Sequence, residues 1–184
     1  MNSMNTPSPK TPLDAVSQAV TDMAARFAAL GVMPTPGQTV ADIGQDSGLV
    51  GFALIRHVAD ASCITVRPAA AHDGARELSA QIGVQDRVTL RPLDDAALDF
   101  EADSLDVVLV DESTERRSDA QFAAVLENLR RAIRPGGVLY ISSSSRVDDE
   151  LASMRSLLIA AGFDDVSQAP SGSFVLRRFA LSSV

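Results

Sequence analysis

The chain has 184 residues, 46% of them hydrophobic, and carries a formal net charge of −8. That length suits one domain with a core of its own, needing neither metal nor disulfide staples, and the acidic balance argues against a nucleic-acid backbone as partner. A single cysteine, Cys63, excludes an internal disulfide and agrees with a cytoplasmic setting, and no apolar run nears the ~18 residues of a membrane span.

Residues 1–10, rich in Asn, Ser, Thr and Pro and without the apolar stretch of a signal peptide, are expected to be a disordered tail before a single domain over 11–184. Thr11, Pro12 and Asp14 form a capping-box start. Leu13, Val16, Val20, Met23, Phe27 and Leu30 then make one apolar stripe, so residues 11–31 read as a covering helix that stops at Gly31. Packing against the domain is the preferred role for this helix over that of a ligand lid. Thr39–Phe52 reads as strand, glycine turn and helix start, with Gly44 and Gly48 in the turn. Bare N–H groups and a helix dipole meet there, which suits a ligand.

The helix runs from Ser47 to Val58, and Ser62–Val66 is a second strand. Ala69–Ile82 is a second helix closing at Gly83, Arg87–Arg91 a third strand, and Leu93–Asp103 an acidic loop. The unbroken apolar run Leu105–Val110 marks a central parallel strand covered on both faces. Ser118 and Gln121 cap a helix with Phe122, Val125, Leu126, Leu129 and Ile133 inward, stopped by Arg134-Pro135-Gly136-Gly137. Val138–Ser142 is the fifth strand and Asp148–Ala161 a helix, after which Asp165–Gln168 and Ser173–Phe179 close as a hairpin. Alternating strands and helices with right-handed crossovers define an α/β fold, a doubly wound, mostly parallel seven-stranded sheet with helices on both faces and a C-terminal antiparallel hairpin.

The order of these elements resembles the class I S-adenosylmethionine-dependent methyltransferases, from residue 39 to residue 180. Val40-Ala41-Asp42-Ile43-Gly44 with Gly48 looks like the family's first motif, and Val88–Phe100 like its third-strand segment, with Asp94 where an Asp meets the adenine amine. Ser104–Val108 looks like its fourth strand, Arg134–Leu139 like its Pro-Gly-Gly turn, and Ala161-Gly162-Phe163 like its closing element. The resemblance implies a Rossmann-like fold that binds S-adenosylmethionine, with S-adenosylhomocysteine as product, at the carboxyl ends of the first three strands. It implies cofactor contacts at Asp42, Gly44, Asp46, Gly48, Arg67, Asp94, Asp95 and Asp111. Asp42 either orients the turn or meets the cofactor's amino end through water.

Two residues depart from the pattern. Asp46 stands where the turn commonly has its middle glycine, and Asp is among the few other residues that tolerate positive φ. Arg67 stands where a carboxylate normally accepts from both ribose hydroxyls, and a guanidinium only donates. It would suit a phosphate, a carboxylate or a salt bridge to an acidic neighbour. Metal-dependent O-methyltransferases place a ligand near Asp111 but need an Asp-Asn pair where this chain has Ser142–Ser145, so no metal is expected. His57 and His72 are read on helices away from the sheet's carboxyl edge, Cys63 as a core thiol and Tyr140 as packing. Gly44, Gly48 and Gly51 also resemble the glycines of short-chain dehydrogenases, but the only lysine, Lys10, is far from Tyr140.

The reading is a methyltransferase for an unidentified small-molecule or protein acceptor, with the N-terminal helix, a homodimer mate or a partner protein completing the site. The alternative is a methyltransferase-like binding or regulatory protein that has lost catalysis, on the evidence of Asp46 and Arg67.

Overall fold

The computed structural model describes residues 12–45, 47–93, 98–111, 119–142, 148–163, 165–168 and 174–177. The expected tail, Asp46, Asp94, Asp95 and Ser118 lie outside the described residues. Five parallel strands form the body of the sheet: β1 (Thr39–Ile43), β2 (Ser62–Arg67), β3 (Val88–Pro92), β4 (Leu105–Asp111) and β5 (Ile133–Ser142). β6 (Asp165–Gln168) and β7 (Phe174–Arg177) pair antiparallel, β7 against β5, and the strand order is β3-β2-β1-β4-β5-β7-β6.

The apolar run of β4 divides its side chains between two cores. Val108 and Val110 join Ala41, Ile43, Leu126, Leu129 and Leu158 on the face covered by α4 (Asp119–Ala132) and α5 (Asp148–Ala160). Val107 and Leu109 join Val20, Phe27, Phe52, Ala75 and Ile82 on the other. That face is covered by α1 (Pro12–Ala29), α2 (Leu49–Arg56) and α3 (His72–Ile82). Burial on both sides is why β4 carries no polar alternation. α1 ends at Ala29 and is closed by the glycine its stripe points to, Gly31 with φ 69, after which Val32 N–H reaches back to Phe27 O at 3.0 Å. The helix therefore packs as core cover. Among the described residues, no helix is long and apolar enough to cross a membrane.

Several boundaries differ from expectation, those of α2, α3 and β5 the most. α2 begins at Leu49 and ends at Arg56, where the Arg87 guanidinium donates to the carbonyls of Ile55, Val58 and Ala61 at 2.8, 2.8 and 3.2 Å. α3 begins at His72, because Ala69–Ala71 form a tight 3₁₀ turn after Pro68. β5 begins at Ile133, which pairs with Leu105, and the register jumps before Val138 pairs with Val107. The Pro-Gly-Gly turn is thus an irregularity inside the strand, made possible by Gly136 at φ 82.

At the amino edge of the sheet Asp106, 7% exposed, joins β1 to β4. Its Oδ2 accepts the Thr39 N–H at 2.8 Å, and Arg134 Nη1 lies 3.1 Å from both carboxylate oxygens. Asp106→Ala strands a backbone donor and should lower stability by about 2–3 kcal/mol in urea unfolding. Arg134, half exposed, should cost roughly 1 kcal/mol or less when replaced by Ala. Equal losses in the two variants would contradict this assignment.

Candidate functional site

The chain runs outward from β1 through β2 to β3, then crosses back to β4 on the other side of β1. The carboxyl ends of β1 and β4 therefore part at a topological switch point, where doubly wound sheets open a crevice. The alternation of the strands sends Asp42, Arg67, Asp111 and Ser142 to the face that α1 and α2 cover. Asp42, Gly44, Arg67 and Asp111 come together here, and Gly48 opens the helix beside them.

Gly44 is required by close approach. A Cβ there would sit 2.9 Å from Asp111 Cβ and 3.3 Å from Arg67 Nη1. Gly48 is the N-cap of α2, at φ 80 and with no capping side chain. The α2 N-terminus is served from below instead: Asp42 Oδ2 accepts the Gly51 N–H at 2.8 Å. That approach also depends on glycine, since a Cβ on Gly51 would meet Cys63 Sγ at 2.7 Å and Asp42 Oδ2 at 2.8 Å.

The other oxygen of Asp42 takes Arg67. Arg67 Nη2 donates to Asp42 Oδ1 at 2.6 Å, and Nη1 lies 3.1 Å from the carbonyls of both Asp42 and Val66. Arg67 is 1% exposed and Asp42 4%, so this is a buried ion pair lying under the turn. Of the roles the sequence left open for Asp42, orienting the turn is the one the geometry displays; for Arg67 it is the salt bridge to an acidic neighbour. His72 requires a correction. Its Nε2 lies 3.2 Å from the carbonyls of Arg67 and Arg91, at the carboxyl ends of β2 and β3, because α3 starts only one short turn beyond β2. There it bridges two strand ends through backbone oxygens.

Between α1 and the ends of β1, β4 and β5 lies a cavity of about 170 Å³. Val50, Leu109 and Val110 supply apolar wall, with Met23 and Phe27 from α1. Phe27 meets the Tyr140 ring edge-on, centroids 4.8 Å apart. The polar lining is Arg26, Asp42, Asp111 and Ser142, with Ser142 Oγ donating to Asp111 Oδ1 at 2.9 Å. Sequence reasoning did not single out Arg26 or Ser142 as cavity lining, and the cavity lies beside β1, β4 and β5, whereas the resemblance implied binding at the ends of the first three strands. The spacing of Arg26, next to Phe27 on the edge of the α1 stripe, is the signal that could have found it. Among the described residues, no group of three or more His, Cys, Asp or Glu is placed to hold a metal ion.

Comparison with known proteins agrees with the fold. The methyltransferase domain family matches residues 40–137, more than half of the chain, and the chain belongs to that family. It is 28% identical over 140 residues to ribosomal RNA small subunit methyltransferase G of Mycolicibacterium vanbaalenii, covering 76% of this chain but only 59% of that protein. Its fold is similar to that of a candidate S-adenosyl-L-methionine-dependent methyltransferase of Methanococcus maripaludis (TM-score 0.73, 14% identity, all of both chains). A candidate O-methyltransferase of Nostoc punctiforme gives TM-score 0.72 at 20% identity, over 96% of this chain and 64% of that one.

The described residues fit S-adenosylmethionine at one end. The Arg26 guanidinium and the Asp42 and Asp111 carboxylates line the cavity between apolar walls, which suits the carboxylate, ammonium and sulfonium of an amino-acid arm. They do not fit it at the end of β2, where the side chain that should accept from a ribose is a buried donor turned inward.

Removing one partner of a buried ion pair costs about 3–5 kcal/mol, because the other charge is left alone. Arg67→Met should lose that much in urea unfolding, and Arg67→Asp more, since it sets two carboxylates together. Asp42→Asn/Arg67→Met should recover most of the loss, and additive single losses would show that the pair is not coupled. Burial, and then the charge of Asp42, push the Cys63 thiol up to about 12, against the opposing pull of its Thr65 hydrogen bond and Arg67. Unfolded, the same thiol ionises near 9.0, so its contribution to stability is full below that pH and is lost as pH rises toward about 12. At pH 8 a disulfide reagent such as 5,5′-dithiobis(2-nitrobenzoic acid) should label Cys63 only as the chain unfolds, and rapid labelling of the native protein would contradict its burial.

Proposed function

We propose that the chain is an S-adenosylmethionine-dependent methyltransferase, formed as one domain over 11–184, acting on a small-molecule or protein acceptor. The observation that carries this reading is the cavity at the β1–β4 switch point, flanked by the glycine turn and lined by Arg26, Asp111 and Ser142. Membership of the methyltransferase domain family supports it, and nothing in the comparisons favours the inactive alternative. The bound cofactor would supply an activated methyl group, so the protein's task is alignment in a dry pocket more than proton transfer.

Arg26 holds the carboxylate of the cofactor's amino-acid arm, and Asp111, oriented by Ser142, faces its ammonium. Asp42 and Arg67 keep the turn in place, and Met23, Phe27 and Tyr140 exclude water. Gly44 and Gly48 let the backbone approach the ligand, with Asp46, Asp94 and Asp95 as further contacts toward the adenosine. The net charge of −8 supports an acceptor other than RNA, although the curated relative is a ribosomal RNA methyltransferase. A cytoplasmic setting, and a second copy or partner protein over the cavity mouth, complete the proposal.

Calorimetric titration with S-adenosylmethionine and S-adenosylhomocysteine tests it. Dissociation constants of about 1–100 µM are expected, and absence of heat at millimolar ligand overturns the reading. Arg26→Ala, at an exposed position on α1, should weaken binding about tenfold with little change in thermal stability.

A further inference from the structure

The end of β2 is where a doubly wound nucleotide fold ordinarily offers a ribose acceptor, a carboxylate about 20 residues beyond the glycine turn. Here both the side chain and the backbone at that point are engaged within the protein. The Arg67 guanidinium is held by Asp42 Oδ1 and by the carbonyls of Asp42 and Val66. The Arg67 carbonyl accepts the Leu93 N–H at 2.7 Å and lies 3.2 Å from His72 Nε2. The place of Nη1, 3.3 Å from where a Gly44 Cβ would stand, puts the cation directly beneath the turn.

Turning Arg67 outward to meet a ligand would leave the Asp42 carboxylate buried without its cation, so the inward position is strongly held. Among the described residues, the cavity beside this edge carries charged groups of its own, Arg26 and Asp111 with its Ser142 partner. They are placed for an amino-acid arm and not for a sugar.

We infer that Arg67 is a specificity determinant that abolishes ribose discrimination: the protein grips its nucleoside cofactor by the amino-acid arm and accepts ligands whose ribose hydroxyls are missing or altered. This rests on the methyltransferase reading and deepens it. Sites that hold a ribose through a carboxylate reject deoxy analogues, because a buried charged acceptor is left unpaired. Here the side chain at that position is a cation paired to Asp42, so the loss of a ribose hydroxyl leaves no carboxylate at the end of β2 without its partner.

The test is calorimetric titration of the full chain with S-adenosylhomocysteine, its 2′-deoxy and 3′-deoxy analogues, and 5′-methylthioadenosine, which lacks the amino-acid arm. The deoxy analogues should bind within about threefold of the parent, while 5′-methylthioadenosine should fall behind by about thirtyfold or more. If S-adenosylhomocysteine binds and either deoxy analogue is weaker by more than about threefold, the inference is overturned and the methyltransferase reading stands. If S-adenosylhomocysteine itself does not bind, both fall.

Asp42→Asn/Arg67→Asp places a carboxylate at the end of β2 beside a neutral partner. In this variant, shown to be folded by its thermal transition, the 2′-deoxy analogue should become about tenfold weaker than the parent. Persistent parity there would remove Arg67 as the determinant. Should the variant not fold, the wild-type comparison decides the matter alone.

Discussion

The ion pair between Asp42 and Arg67 is the constraint on which the carboxyl edge of the sheet depends. Neither charge has solvent to relieve it, so each must find its partners within the protein. Asp42 answers with one oxygen to the guanidinium and one to the first turn of α2, and Arg67 answers with the carboxylate and two carbonyls. Strand, turn and helix are fixed to one another by that single carboxylate. The neighbouring thiol registers the result, pushed up to about 12 by burial and by the Asp42 charge.

A second carboxylate–arginine pair, Asp106 with Arg134, stands at the opposite end of β1 and holds the Thr39 N–H. The central strand is thus clamped by charge at both ends and by apolar packing along its length. Hydrophobic burial alone is non-directional and would tolerate sliding of β1 against its neighbours. Directional bonds at its two ends pin the register, and with it the alignment of Asp42, Gly44 and Asp111 across the switch point.

Most of the fold was legible because its signals are local. The unbroken run Leu105–Val110, the α1 stripe closed by Gly31 and the glycine turn after Asp42 each name an element without outside information. What was not legible depends on direction. Sequence placed Arg67 at the ribose position but could not say whether its guanidinium turns toward a ligand or back to Asp42; two residues past Thr65, the register partner of Asp42, it lies within reach of that carboxylate. His72 was misplaced because a three-residue 3₁₀ turn, invisible to helical periodicity, leaves the start of α3 at the sheet edge. That the N-terminal helix could complete the site was foreseen, but not which of its side chains would do so: a stripe shows which side of a helix is buried, not where that side stops meeting the core. Asp46, Asp94 and Asp95 lie outside the described residues, so their part in the site stays with the proposal.

The contact at Gly51 has a mechanical consequence. With Cys63 and Asp42 so near that a single added methyl would collide with both, α2 has no clearance above the sheet in which to rock or slide. The strand, the turn and α2 behave as one stiff anvil. The opposite wall of the cavity is α1, whose outer face is exposed and which supplies Met23, Arg26 and Phe27 to the lining. The same helix that completes the core also walls the chamber.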